Sequence, residues 1–174
     1  MIFQKIFLFG IDNAGKTTLS QVLRTGNYEG DIFPTTSYDI HALFLKHFKE
    51  SIEFKIWDAP GQIIYRSSWD EGCAGASILI YALDTSEKAR FIEAQEALQG
   101  ILGKDETKGV PLIFLYHKID KDQSKKNYYE AQDTFKPALI PGRDVYVIHT
   151  SIHEQRLLDD LREVIAKIMK KTRE

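Results

Sequence analysis

A single cysteine, Cys73, stands among 174 residues, so no disulfide can close within the chain, and there is no Cys-x-x-Cys or Cys/His cluster to hold structural zinc. A reducing, cytosolic setting follows. No apolar run approaches the ~20 residues that crossing a bilayer requires, and the opening MIFQKIFLF lacks the zones of a secretory signal. Ile2 stands where N-myristoylation takes glycine, and the final KKTRE offers no prenylatable cysteine. No intrinsic membrane anchor is expected, and membrane attachment would come through a partner. An excess of positive charge is also missing: 23 basic against 25 acidic residues leave a formal charge of -2, which argues against nucleic acid as the main ligand.

No internal repeat, low-complexity tract or Gly/Ser-rich linker divides the chain, so residues 1–174 are expected to form one domain, and 43% hydrophobic with 11% aromatic residues supply one substantial core. IFQKIFLF (2–9) reads as a buried strand, and Lys16 to about Arg24 as a helix with Leu19, Val22 and Leu23 inward. YDIHALFLKHF (38–48) and SIEFKIWD (51–58) flank a short polar turn and predict an antiparallel hairpin. SILIYALD (77–84), PLIFLYH (111–117) and DVYVIHT (144–150) are continuous apolar runs that predict strands covered on both faces. Helix-length segments lie between them, at about 86–103 and 121–138. The last helix carries Leu157, Leu158, Leu161, Val164, Ile165 and Ile168 at helical spacing. This order predicts an α/β fold: a mostly parallel six-stranded sheet with one antiparallel edge strand and helices on both faces. Ligands of such sheets bind beyond the carboxyl ends of the strands.

GIDNAGKTT, Gly10 to Thr18, follows the first strand and fits the P-loop template G-x-x-x-x-G-K-[ST]. Its glycines let successive amides point inward, and the helix behind adds the positive end of its dipole. Asp12, Asn13, Ala14, Gly15, Lys16, Thr17 and Thr18 are the candidate phosphate-binding residues, with Lys16 reaching the outer phosphates and Thr17 ligating magnesium. Asp58 ends the third strand in WDAPGQ and would hold the magnesium shell, through water, as a Walker-B carboxylate does. Thr35, in FPTTSYD, is a candidate second magnesium ligand. Gly61 would offer an amide to the terminal phosphate, and Gln62 would orient a water for in-line attack.

HKID (117–120) ends the fifth strand. Asp120 there is placed to accept two hydrogen bonds from guanine, a pattern adenine does not offer, and a buried unpaired carboxylate would penalise the wrong base. Lys118 would lay its aliphatic stem along the base or sugar. TSIHE (150–154) follows the sixth strand, where a backbone amide at Ser151 or Ile152 would meet the guanine carbonyl oxygen. Ser151 and Glu154 also read as a capping box for the last helix.

Together these motifs resemble a small GTPase of the Ras superfamily over nearly the whole chain, closest to the Arf and Arf-like branch. GIDNAGKTT resembles that branch's phosphate loop, WDAPGQIIYRSSW its second switch, and RFIEAQEALQGIL the helix after its fourth strand. His117 in HKxD, TSI at 150–152 and Pro60 are similar to Rag GTPases, whose second domain the chain lacks. The resemblance implies a Ras-like fold, GTP and GDP as ligands, Mg2+ as cofactor, and an exchange factor, a GTPase-activating protein and effectors as partners. It implies a cytoplasmic monomer or partner-dependent dimer, recruited to membranes by partners in trafficking-like or signalling regulation. Ser37 stands where Arf proteins carry a glycine that helps their hairpin slide. Of the aromatic patch gripped by Arf effectors, Tyr38 and Trp57 are present and the third position is Gly72.

Asp12 would bring negative charge near the terminal phosphate, which predicts slow intrinsic hydrolysis. No arginine in the motifs reads as an internal arginine finger. The leading expectation is a switch that hydrolyses GTP to GDP. The alternatives are a guanine-nucleotide scaffold with negligible turnover, suggested by Pro60 and His117, and a P-loop kinase or ATPase, for which no lid or acceptor pocket is evident.

Overall fold

The computed structural model describes residues 4–28, 30, 33–47, 50–121 and 125–172. Six strands form one sheet: β1 (Gln4–Phe9), β2 (Asp39–His47), β3 (Glu50–Asp58), β4 (Ile78–Asp84), β5 (Leu112–His117) and β6 (Val145–Thr150). Their spatial order is β2-β3-β1-β4-β5-β6. Only β2 runs antiparallel, pairing with β3 from Asp39 opposite Asp58 to His47 opposite Glu50; the other neighbours are parallel. The hairpin and the antiparallel edge strand are as the sequence predicts.

The period-two geometry of a strand sends alternate β1 side chains to opposite faces. Ile6 and Leu8 join a core with α1 (Lys16–Thr25) and α5 (Gln155–Lys171), while Phe7 and Phe9 join a second core with α2 (Trp69–Cys73), α3 (Phe91–Leu102) and α4 (Lys126–Phe135). Both faces are therefore apolar, and every residue of β4 and β5 is buried. In α5, Leu158, Leu161, Ile165 and Ile168 recur at 3.6-residue spacing and are buried.

Three sequence expectations change. β6 lies at the sheet edge and is largely half-buried, with Val147 41% exposed, because β5 is its only neighbour. An apolar run alone does not tell an edge strand from a central one. The 86–103 segment divides into a 3-10 turn (Lys88–Arg90) and α3. The 121–138 segment contains α4 between 3-10 turns at Ile119–Lys121 and Pro137–Leu139, and its residues 122–124 lie outside the described residues, as do residues 2–3 of the first predicted strand.

Candidate functional site: a nucleotide cleft

The polar residues that interrupt the apolar strands fall at their carboxyl ends. Asp58, Asp84, His117 and Thr150 are the last residues of β3, β4, β5 and β6, and all four are buried. With the loop after β1, Asp84 and His117 border a cleft of about 780 Å³, while Asp58 and Thr150 reach its wall through their bonds to Thr17 and His117. Asp12, Asn13, Gly15, Lys16, Thr17, Thr18, Thr35, Gly61 and Gln62 line one part, and His117, Lys118, Asp120 and Ile152 line the other. Ala14 and Ser151 are buried behind the walls. Tyr28, Phe33, Glu87 and His153 also line the cleft, and no motif singled them out.

Gly15 has φ +86, a conformation L side chains rarely adopt, and a Cβ there would lie 2.9 Å from His117 Nε2. Glycine lets the turn into α1 rest on the base-side histidine. Lys16 is 5% exposed and donates from Nζ to Ile11 O at 2.9 Å. Burial pushes its pKa down to about 8, with Asp58 opposing the shift. An ammonium buried this way gains from an anion brought beside it.

Thr17 Oγ1 donates to Asp58 Oδ2 at 2.5 Å and lies 2.9 Å from Thr35 Oγ1. The three candidate metal residues, from three separate segments, thus converge. Asp58 is fully buried, its pKa is pushed up to about 6 chiefly by that burial, and its Oδ1 has no hydrogen-bond partner. A buried acceptor without a donor is costly, so the carboxylate is arranged for something besides Thr17. Among the described residues no group of three or more His, Cys, Asp or Glu side chains could hold a metal by itself.

At the base end, His117 Nδ1 and Thr150 Oγ1 lie 2.8 Å apart, tying β5 to β6. Burial pushes the His117 pKa down to about 4. Lys118 adopts φ 58, and its Nζ donates to Asn13 O and to Asp84 Oδ2, the latter at 2.6 Å. Its stem thereby bridges the base end to the phosphate loop. Ser86 fixes Asp84 Oδ1 through its amide at 2.8 Å and its hydroxyl at 2.6 Å. Asp84 was legible only as the polar end of an apolar strand.

Asp120 is exposed in its 3-10 turn, so its carboxylate is hydrated and the penalty expected of a buried one applies only once a base covers it. The predicted Ser151–Glu154 capping box does not form. Glu154 is itself the N-cap of α5 without a side-chain bond, while Ser151 Oγ accepts from the His153 amide at 3.2 Å. The helix begins later than the S-x-x-E spacing requires.

Asp12 departs most from expectation. Its carboxylate is paired: Arg90 Nη2 donates to Oδ1 at 2.7 Å and Arg90 Nη1 to Oδ2 at 3.3 Å, with Arg66 Nη2 3.6 Å away. Glu93 binds both arginines, at 2.6 Å to Arg66 and 3.0 Å to Arg90. The Arg90 hydrogen bond holds the Asp12 carboxyl below its usual range. The lone negative charge expected from the sequence is thus one member of a neutral quartet spanning the phosphate loop, the second loop and α3. Arg90 and Glu93 stand inside RFIEAQEALQGIL, which the sequence marks only as a helix, so no role was assigned to either; their i, i+3 spacing was the available signal.

The loop after β3 is closely packed. Gly61 O accepts from the Asp12 amide at 3.1 Å and from Arg66 Nε at 2.7 Å, and a Cβ on Gly61 would lie 2.5 Å from Asp12 N. Trp69 Nε1 donates to Pro60 O at 2.8 Å. Gln62 is half-buried at the head of a 3-10 turn, Ile63–Ser68. Tyr38 and Trp57 pack at 5.4 Å between ring centroids, and the absent third aromatic is explained: a Cβ on Gly72 would lie 2.0 Å from the Tyr38 hydroxyl, which donates to Ser68 O. Cys73 is fully buried.

Residues 3–170 match the model of the ADP-ribosylation factor family. The chain belongs to that family. Over 120 residues, 69% of this chain, it is 33% identical to ADP-ribosylation factor-like protein 8c of Arabidopsis thaliana; over 117 residues it is 35% identical to protein 8b of the same plant. The matched stretches span 63% and 61% of those relatives' lengths. Among solved structures, the Arl6 (BBS3) small GTPase of Trypanosoma brucei with the bound nucleotide analogue GppNp is similar, with TM-score 0.72 and 18% identity over 93% of this chain and 98% of that one. The Ras-like small-GTPase fold is thereby established for this ADP-ribosylation factor family member.

Proposed function

We propose that this protein is a GTP-binding switch that hydrolyses GTP to GDP and phosphate. The observation that carries the reading is one cleft lined by Lys16, by Thr17 and Thr35, with Asp58 bonded to Thr17 behind them, and by His117, Lys118 and Asp120. Family membership supports the same assignment.

Lys16 and the amides from Asn13 to Thr18 hold the phosphates. Thr17, Thr35 and, through water, Asp58 would hold Mg2+, to which the orphaned Asp58 Oδ1 is suited. When bound, the ion neutralises phosphate charge. Gln62 orients the attacking water, and the Gly61 amide binds the terminal phosphate once Gly61 lifts from Asp12. Asp120 reads guanine, with the Ser151–Ile152 backbone at its carbonyl oxygen. His117 acts as a Rag-like substitute in the base motif, buttressing Gly15 from beneath and fastening β5 to Thr150.

Neither Arg66 nor Arg90 serves as an arginine finger, because each guanidinium is bound by carboxylate or carbonyl oxygens. A GTPase-activating partner therefore supplies one or repositions Gln62. The protein is cytosolic, brought to membranes by partners, with effectors reading Thr35 and Gln62. Denaturing freshly purified protein and separating the released nucleotide by chromatography tests the core of this reading. Near-stoichiometric GDP or GTP is expected; adenine nucleotide would overturn the base assignment.

A further inference from the structure

We infer that Arg90 is a positioning residue that cancels and holds the Asp12 carboxylate, so that the phosphate loop can accept a triphosphate as readily as a diphosphate. This inference rests on the guanine-nucleotide reading of the cleft.

Asp12 lies in the cleft wall at the phosphate end, where most of the loop is backbone amide. A free carboxylate there would repel the phosphate carrying the greatest charge, and least of all a ligand that lacks it. Arg90 prevents this in two ways. Its Nη1 donates to the Asp12 carbonyl at 3.1 Å, fixing the backbone that must present amides to phosphate. Its two terminal nitrogens also grip the two carboxylate oxygens, a fork geometry that a lysine cannot reproduce.

Glu93 holds the opposite edge of the same guanidinium, through Nε at 3.0 Å and Nη2 at 3.0 Å. The arginine is therefore aimed from α3 and is not a mobile surface charge. Arg66 adds a second positive group at 3.6 Å, but its nearer bonds go to Gly61 O and Glu93. Arg66 leaves its place if the second loop moves, whereas Arg90 is anchored where α3 begins and stays. Two arginines and two carboxylates sum to zero; without Arg90 the quartet carries a net negative charge beside the phosphates.

The test measures dissociation constants for GDP and for the non-hydrolysable analogue GppNp, each with Mg2+, on wild type, Arg90→Ala, Asp12→Ala and the double variant. Arg90→Ala is expected to weaken GppNp relative to GDP by about tenfold, the order expected for one uncancelled charge nearby. Asp12→Ala/Arg90→Ala is expected to restore the wild-type ratio. A merely structural arginine would weaken both nucleotides together, with no rescue from the second substitution. Arg90→Gln, which keeps reach and drops charge, provides the same comparison if the alanine variant fails to fold. A ratio within twofold of wild type in Arg90→Ala, or a double variant as impaired as Arg90→Ala, would overturn the inference. Wild type that binds neither nucleotide would sink the functional reading and this inference with it, an outcome separate from either ratio.

Discussion

His117→Asn should remove a defined portion of the protein's acid sensitivity. An unfolded histidine titrates near 6.5, whereas burial holds folded His117 near 4. At neutral pH both states are uncharged and the stability is full. As pH falls through 6.5, the unfolded chain takes up a proton that the folded protein refuses, and stability is lost until about pH 4. The whole effect approaches about 3 kcal/mol, of which about 2 kcal/mol has gone by about pH 5. For a protein of this size that corresponds to roughly 4–8 °C in Tm. His117 is 1% exposed, so solvent screening removes little of this. The assay is urea unfolding of nucleotide-free wild type and His117→Asn at about pH 7.5 and about pH 5. Every other titrating group acts in both proteins and cancels in the difference. Wild type should lose about 2 kcal/mol more than the variant across that interval. Parallel losses would refute the argument that this histidine is buried in its neutral form.

Gln62→Leu should retain nucleotide binding but lose partner-stimulated hydrolysis by 100-fold or more in single-turnover phosphate release, on the order expected for removal of a water-orienting group; a scaffold would change little. Chelating Mg2+ with EDTA should accelerate release of a fluorescent GDP analogue at least tenfold, and Asp58→Ala should blunt the response, since its carboxylate is part of what the ion binds. Gly61→Ala places a Cβ 2.5 Å from Asp12 N. The second loop must then move off the phosphate loop, and limited proteolysis within Ile63–Ser68 should be faster than in wild type. Gly72→Ala displaces the Tyr38 ring, breaks its 2.7 Å bond to Ser68 O and should cost about 1 kcal/mol, with altered Trp57 fluorescence as the readout.

Most of the fold was written in local patterns. Apolar runs near residues 77–84 and 111–117 became strands buried along their whole length, and a polar turn between two strand patterns became the antiparallel hairpin. The strand-end residues Asp58 and His117 were equally legible, because a charged or polar group closing an apolar run stands out. What stayed hidden depends on contacts distant in sequence. Arg90 meets Asp12 across 78 residues and Lys118 meets Asp84 across 34, and neither partner carries a mark of the other. The half-exposure of β6 was similarly invisible, since edge position is set by the order of strands in space. The Ser151 capping box failed because the same tetrapeptide can form a tight turn before the helix starts, and local spacing does not choose between the two.

The Gly61 carbonyl has a mechanical consequence. One oxygen receives both the Asp12 amide, from the phosphate loop, and the Arg66 guanidinium, from the 3-10 turn that follows. A conformation that carries this peptide away strands two donors at once, so small excursions cost nearly as much as large ones. The linkage behaves as a latch with a threshold, and the two loops it joins share a single barrier rather than drifting independently.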